Sequence, residues 1–279
     1  MRAGCSTTPA NHTITPRDRK FAHANNMRWW ANGDPIGTAF WNAFSATFPD
    51  GERFFMDSVR HFREHVSPSL REQIKGFLAQ EAIHSREHVT FNRLVSEDGY
   101  DVAAIEVRNK EELDEARTEH PIGQLAITMG LEHFTAILAH ALLSDPRHLE
   151  GAPEAVQDLW RWHAMEEVEH KAVAFDTYME VMKDVSPFKR WWIRSFVMLR
   201  TTWDMAVFQG WAMGRLLEQD GINLSRSKWR MARFLLKEPG IIRSIAWAYL
   251  QYFRPGFHPW AIDDRHLLRA EEARLAEAA

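Results

Sequence analysis

Two segments of the chain repeat one chemical pattern: Gln80-Glu81-Ala82-Ile83-His84 and Glu166-Glu167-Val168-Glu169-His170 both contain Glu-x-x-His. On a helix, positions three apart share a face, so Glu81 with His84, and Glu167 with His170, can each offer an oxygen and an imidazole nitrogen to one ion. One such motif says little, since Glu and His are common on solvated faces. The second copy, and a carboxylate at matching depth on each partner helix, carry the argument. In an antiparallel hairpin, residues equidistant from the turn lie at one level. Glu52 and Glu81 are centred between Val66 and Ser67, beside Ser67-Pro68-Ser69. Glu132 and Glu167 are centred between Leu149 and Glu150, inside the break from Asp145-Pro146 to Ala152-Pro153. Glu64, the rival on the first helix, sits too close to its turn to meet Glu81. Glu132 stands among Ile127, Met129, Leu131 and Phe134, where a carboxylate must be paired or bound to a cation.

Four carboxylates and two imidazoles make a hard, mixed oxygen and nitrogen field. That set suits two iron ions, with manganese or zinc the less favoured choices. Further histidines extend it. His163 precedes Glu167 by four residues on the same stripe, and His88 follows His84 by four, so the two compete as an extra ligand. His133 faces away from its neighbour Glu132. Glu166 and Glu169 point off the Glu167 face and read as surface or supporting groups, and Asp176 and Tyr178 stay outside the expected site.

Positioning these residues requires long helices. Asp34-Pro35 opens a helical pattern that should stop at Phe48-Pro49, and Asp50-Gly51-Glu52 opens another that ends near Ser67-Pro68. A further run from Leu70 to about Leu94 completes one hairpin. After a polar link, Ser96–Thr118, patterning resumes from Pro121 to about Leu143 and from Glu154 to about Met182, completing a second hairpin with the same motif, a hint of internal duplication. The expected fold is all-α, a ferritin-like four-helix bundle at residues 35–185. An N-terminal arm at 1–34 precedes it, with Met27-Arg28-Trp29-Trp30 docked on the body. Aromatic, basic helices at 186–279 follow, ending in an exposed or self-associating helix from Arg265.

Composition narrows the class. The chain has 279 residues, 45% of them hydrophobic, and a single cysteine, Cys5, which can form no internal disulfide. Net charge is -4, which argues against nucleic acid, yet residues 186–254 hold twelve Lys or Arg against four Asp or Glu. Lys189-Arg190-Trp191-Trp192 and Lys228-Trp229-Arg230 begin apolar helical runs with basic edges, suited either to roofing the bundle or to lying on an anionic membrane. With no signal-like segment at the start, the expected location is cytoplasmic, peripheral membrane contact being the alternative.

One Glu and one Glu-x-x-His per hairpin resembles the ferritin-like di-iron carboxylate proteins. Phe-Pro-Asp-Gly-Glu-Arg-Phe-Phe (48–55), Gln-Glu-Ala-Ile-His-Ser-Arg-Glu-His (80–88), Leu-Glu-His-Phe-Thr-Ala (131–136) and Trp-His-Ala-Met-Glu-Glu-Val-Glu-His-Lys (162–171) resemble more closely the bacterial "predicted metal-dependent hydrolase" family, over roughly residues 20–260. The stripe His163-x-x-x-Glu167-x-x-His170 is similar to the last-helix motif of the arylamine N-oxygenases, which implies His163 as a seventh ligand. The leading expectation is an oxygenase or oxidase in which iron activates O2 against an apolar small molecule, served by an external electron donor. The alternatives are two-metal hydrolysis of an ester or amide, and a non-catalytic iron or oxygen sensor. A homodimer is compatible with either.

Overall fold

Asp34 caps the first helix, its carboxylate accepting the backbone N–H groups of Ile36 and Gly37, and Pro35 occupies the first turn, where its missing N–H costs nothing. This helix, α1, runs Pro35–Arg60 in the computed structural model, which describes residues 7–21, 27–223 and 225–277. The expected stop at Phe48-Pro49 is absent, and Pro49 lies inside α1. An internal proline deprives the carbonyl four residues back of its N–H partner. Here that carbonyl is Ser45's, and the Asn92 side-chain amide donates to it at 3.1 Å. Tertiary contact thus replaces the donor that proline removes, and one bent-tolerant helix stands where two were expected.

The following helices are α2 (Pro68–Glu97), α3 (Ala103–Ala116), α4 (Pro121–Ser144), α5 (Glu154–His170) and α6 (Val173–Val181). α1 pairs with α2 and α4 with α5 as hairpins, and the hairpins meet through α1 against α4 and α2 against α5 and α6. That is a four-helix bundle, and no strand occurs among the described residues. The expected polar link contains α3. Its apolar stripe is only Ile105 and Leu113 with Asn109 between them, all buried, while Arg108–Glu112 (2.8 Å) and Lys110–Asp114 (2.5 Å) ion pairs dress the other side. So narrow a stripe does not stand out from sequence.

The expected single helix 154–182 is broken at Lys171-Ala172, one residue beyond His170. Lys171 turns into the core, where its ammonium donates to Asp264 at 2.6 Å and to the Ile262 carbonyl at 2.8 Å, over the Trp260 ring. Replacing Lys171 by alanine would leave the buried Asp264 carboxylate without its cation, held, among the described residues, only by His140 at 2.7 Å. The expected cost is about 3–5 kcal/mol, read as a lowered unfolding midpoint in denaturant.

Beyond the bundle lie α7 (Pro187–Gln219), α8 (Lys228–Leu236), α9 (Ile241–Gln251) and α10 (Arg265–Glu277). α7 lies along α1 and α4, α9 against α4, and α10 against α5. The last helix is therefore not free as expected: Leu267 and Leu268 are buried, and Glu271 pairs with Arg161 and Arg274. At the other end, Met27, Trp30 and Ala31 are buried, with the Trp30 indole N–H donating to Asn42 at 2.8 Å. Cys5 lies outside the described residues. α4 is the one described helix long and apolar enough to cross a membrane, and 78% of its apolar window is buried inside the bundle, as a core helix requires.

Candidate metal centre

The facing stripes of α1, α2, α4 and α5 bring Glu52, Glu81, His84, Glu132, His163, Glu167 and His170 into one buried cage. Three overlapping groups have ligand atoms within 4.8 Å of one another: Glu52, His84 and His163 at one end, Glu81, Glu132 and His170 at the other, and Glu81, His84 and Glu167 between. Glu167 is the centre. One of its oxygens lies 3.0 Å from His163 Nε2 and 3.5 Å from His84 Nδ1, and the other lies 3.4 Å from His170 Nε2. His170 Nε2 also approaches Glu81 at 3.1 Å and Glu132 at 3.4 Å.

Each histidine is oriented from behind by a group that can only accept. The Gln80 amide nitrogen donates to Glu169 (2.8 Å) and to the Thr15 carbonyl (3.3 Å), so its oxygen faces His170, and His170 Nδ1–H must donate to it at 3.0 Å. His84 Nε2–H donates to the Glu166 carboxylate at 3.1 Å. The third orientation passes through four residues. Asn92 directs its amide nitrogen at the Ser45 carbonyl and at Glu106, both acceptors, so its oxygen must receive the Ser45 hydroxyl proton at 2.6 Å. Ser45 Oγ then accepts from His88 Nδ1–H at 2.8 Å, and His88 Nε2 accepts from His163 Nδ1–H at 2.6 Å. In all three rings the nitrogen left over points into the cage, the arrangement that outer partners of metal-binding histidines impose.

The electrostatics call for positive charge. Burial drives Glu52 and Glu132 well above the usual carboxylate range, Glu81 adding to the effect in both, and burial raises Glu81 as well. Glu167 alone is held well below: burial would raise it, but the charge of His170 and the close approach of the His163, His170 and His84 imidazoles outweigh that. Burial opposes a charge on His84, yet its hydrogen bond to Glu166 and the nearby Glu167 and Glu81 carboxylates lift it to about 10, and His170 is likewise raised well above its ordinary value by Glu167 and Glu132 against the effect of burial. His163, by contrast, is pushed down to about 4 by burial and by His84, so its inward nitrogen is a lone pair facing a carboxylate oxygen. Eight atoms of six cage residues have no hydrogen-bond partner: both oxygens of Glu81 and of Glu132, one each of Glu52 and Glu167, His84 Nδ1 and His170 Nε2. Buried polar atoms of a native protein are normally paired. Converging carboxylate oxygens without donors, beside inward imidazole nitrogens, are what metal cations satisfy, so the residues fit bound metal.

The seven cage residues include every sequence-expected ligand except His88. That residue stands behind His163 as its acceptor and does not face the cage. His133 faces away as expected, against Tyr252 and the Ala248 carbonyl, and burial pushes it down to about 3. Glu166 and Glu169 are fully buried supports and not surface groups, because α5 is enclosed on all sides from Trp162 to His170. Sequence reasoning missed Ser45, Asn92 and Arg17. Arg17, from the N-terminal arm, binds Glu169 at 2.7 Å and Glu166 at 3.4 Å, offsetting charge on the pair behind His84 and His170. The one legible signal was the density of charge in a helix that also carries Trp160, Trp162 and Val168. Replacing His88 by leucine is expected to weaken metal binding about 10–100-fold in a competition titration. Combined with His163→Ala it should add nothing further, since His88 reaches the cage only through that ring.

A helical bundle enclosing carboxylates and histidines oriented in this way defines the chain as a metal-binding protein. It belongs to the family described as "predicted metal-dependent hydrolase", which matches residues 15–263. No curated protein and no solved structure matches the chain. Membership overturns the leading expectation of an oxygenase or oxidase, and O2 and an external electron donor lose their warrant with it. The ligand pattern led there because it records which ions are held and not which reaction they serve.

Proposed function

We propose that the cage binds two metal ions through Glu52, Glu81, His84, Glu132, His163, Glu167 and His170, and that the protein hydrolyses an ester or amide of an apolar small molecule. The observation that carries this reading is the set of eight partnerless ligand atoms converging in a buried interior, within a family described by metal-dependent hydrolysis. Iron is the first choice of ion for four carboxylates and three imidazoles, ahead of manganese and zinc. Ions so placed supply Lewis-acid activation of water and of the oxygen at the bond under attack.

The chain's own contribution is positional. Gln80, Glu166 and His88 hold the three imidazoles with their free nitrogens inward, Ser85 donates to Glu52 at 2.8 Å and steadies its second oxygen, and Glu167 spans both ends of the cage. Phe77, set edge-on to His170, and Trp162, set edge-on to His84, exclude bulk water from the rings. Residues 35–185 form the catalytic part in this reading, with 186–279 as accessory helices.

The test is a panel of aryl and alkyl esters and amides, assayed without oxygen on protein loaded with iron, manganese or zinc. Turnover that needs metal and disappears in Glu81→Gln supports the proposal. Absence of metal-dependent cleavage across the panel and all three loadings would overturn it.

A further inference from the structure

Among the described residues, the longest row of exposed large apolar side chains runs along the outer face of α7, which contributes no cage residue. Phe188, Trp192, Phe196, Leu199, Trp203 and Val207 recur at intervals of three and four, so they form one row. All six are exposed, Phe188 and Trp203 at 71%. From Phe188 to Val207 the row extends about 30 Å at 1.5 Å per residue. No charged residue interrupts it. Lys189 and Arg200 flank it, both exposed, Arg200 lying 3.6 Å from the exposed Asp204 and 3.8 Å from Glu119. α9 lies beside it on the same helix, α4, tied to α7 by the hydroxyls of Thr202 and Tyr249 (2.9 Å) and by the Trp191 indole N–H donating to the Phe253 carbonyl (2.8 Å). It too exposes Trp247 and Leu250, with Arg243 at its edge.

A face of this size has an occupant, because water-soluble surfaces seldom leave a long contiguous aromatic row uncovered. Charge selects among occupants. The segment 186–254 carries twelve cations against four anions within a chain of net charge -4. A twofold pairing of two copies would set the same cationic edges against each other, which opposes a dimer through this face. An anionic bilayer complements both features, receiving the tryptophans at headgroup depth and the lysines and arginines at its phosphates. α7 cannot cross the bilayer: it holds Lys189, Arg190, Arg194, Arg200 and Asp204, and its opposite face is committed to α1 and α4. A helix of this kind meets a bilayer lying in its plane.

We infer that the outer face of α7, with α9 beside it, docks the protein on an anionic lipid surface. This inference is independent of the metal reading, since neither helix contributes a cage residue. The experiment is co-sedimentation of the full chain with neutral phosphatidylcholine vesicles and with vesicles containing phosphatidylglycerol, at low and high salt. Binding should favour the anionic vesicles and weaken with salt. The double variant Phe196→Ser and Trp203→Ser should lose about tenfold or more in partitioning, with helicity and metal content unchanged. Lys189→Glu, which leaves the row intact, should weaken binding and reduce its salt dependence. No binding by the wild type, equal binding by the double variant, or concentration-dependent dimerisation through the row without vesicle binding would each overturn the inference.

Discussion

Protein carrying Glu167→Ala is expected to lose both metal ions, whereas Glu132→Ala should lose chiefly one. Glu167 is the residue that all three inward-facing histidines approach, within 3.0–3.5 Å, and its two oxygens face opposite ends of the cage. Its carboxylate is also the one held well below the usual range, so it is the anion already ionised when the first cation arrives. Glu132 touches only the His170 end. The loss of affinity should exceed the roughly 10–100-fold that follows from removing an outer partner. Elemental analysis of purified variants reads the ion count, and circular dichroism checks that the helices persist. Helix content should hold, because alanine favours helix and the apolar packing between the helices is untouched. Two ions retained by Glu167→Ala would defeat the ligand assignment.

Stripping the ions with a chelator should produce a protein that loses stability as pH rises, while the loaded protein changes much less. Without cations, the cage is neutralised by protons. Glu52, Glu81 and Glu132 have folded pKa values above their ordinary ones, so their contribution is full below the ordinary carboxylate range and is lost as pH rises through the folded values. His84, raised to about 10, contributes fully below the ordinary histidine value and loses that contribution as pH climbs towards about 10; His170 acts in the same sense. Glu167 has the opposite sign, but its contribution is lost only in acid, below the ordinary carboxylate range. The gap between loaded and stripped protein should therefore widen between about pH 6.5 and 10, as metal displaces protons that are increasingly scarce. With free ion at about 1,000 times its Kd, one site contributes about 4 kcal/mol, enough to shift a thermal midpoint by several degrees. Thermal unfolding across this range, with and without chelator, makes the comparison. Parallel curves would show that the cage is neutralised by something other than protons and metal.

The sequence by itself determined the all-α bundle and most of the cage. Glu-x-x-His works at short range: helix geometry alone puts Glu81 with His84 and Glu167 with His170 on common faces, whatever the rest of the chain does. Equal distance from the two turns was enough to add Glu52 and Glu132, because rise per residue is the same on both arms of a hairpin. Both ends of α4 and the start of α5 were legible too, marked by Pro121, Asp145-Pro146 and Pro153.

Tertiary structure decided what local rules leave open. Pro49 reads as a helix end until Asn92, far along the chain, supplies a donor to the Ser45 carbonyl. That same amide then fixes Ser45, His88 and finally His163, so the choice between two histidines at the same helical spacing was made by hydrogen-bond direction and not by spacing. Glu166 and Glu169 look solvated until the arm brings Arg17 across them. α3 presents a stripe too thin to predict, and the stripe of α10, a helix the sequence did announce, is too thin to show that it packs; only α1 and α5 show what those stripes cover. Helical periodicity records which side chains share a face; which faces meet, and which buried acceptor finds which donor, depends on contacts between residues dozens to more than a hundred positions apart.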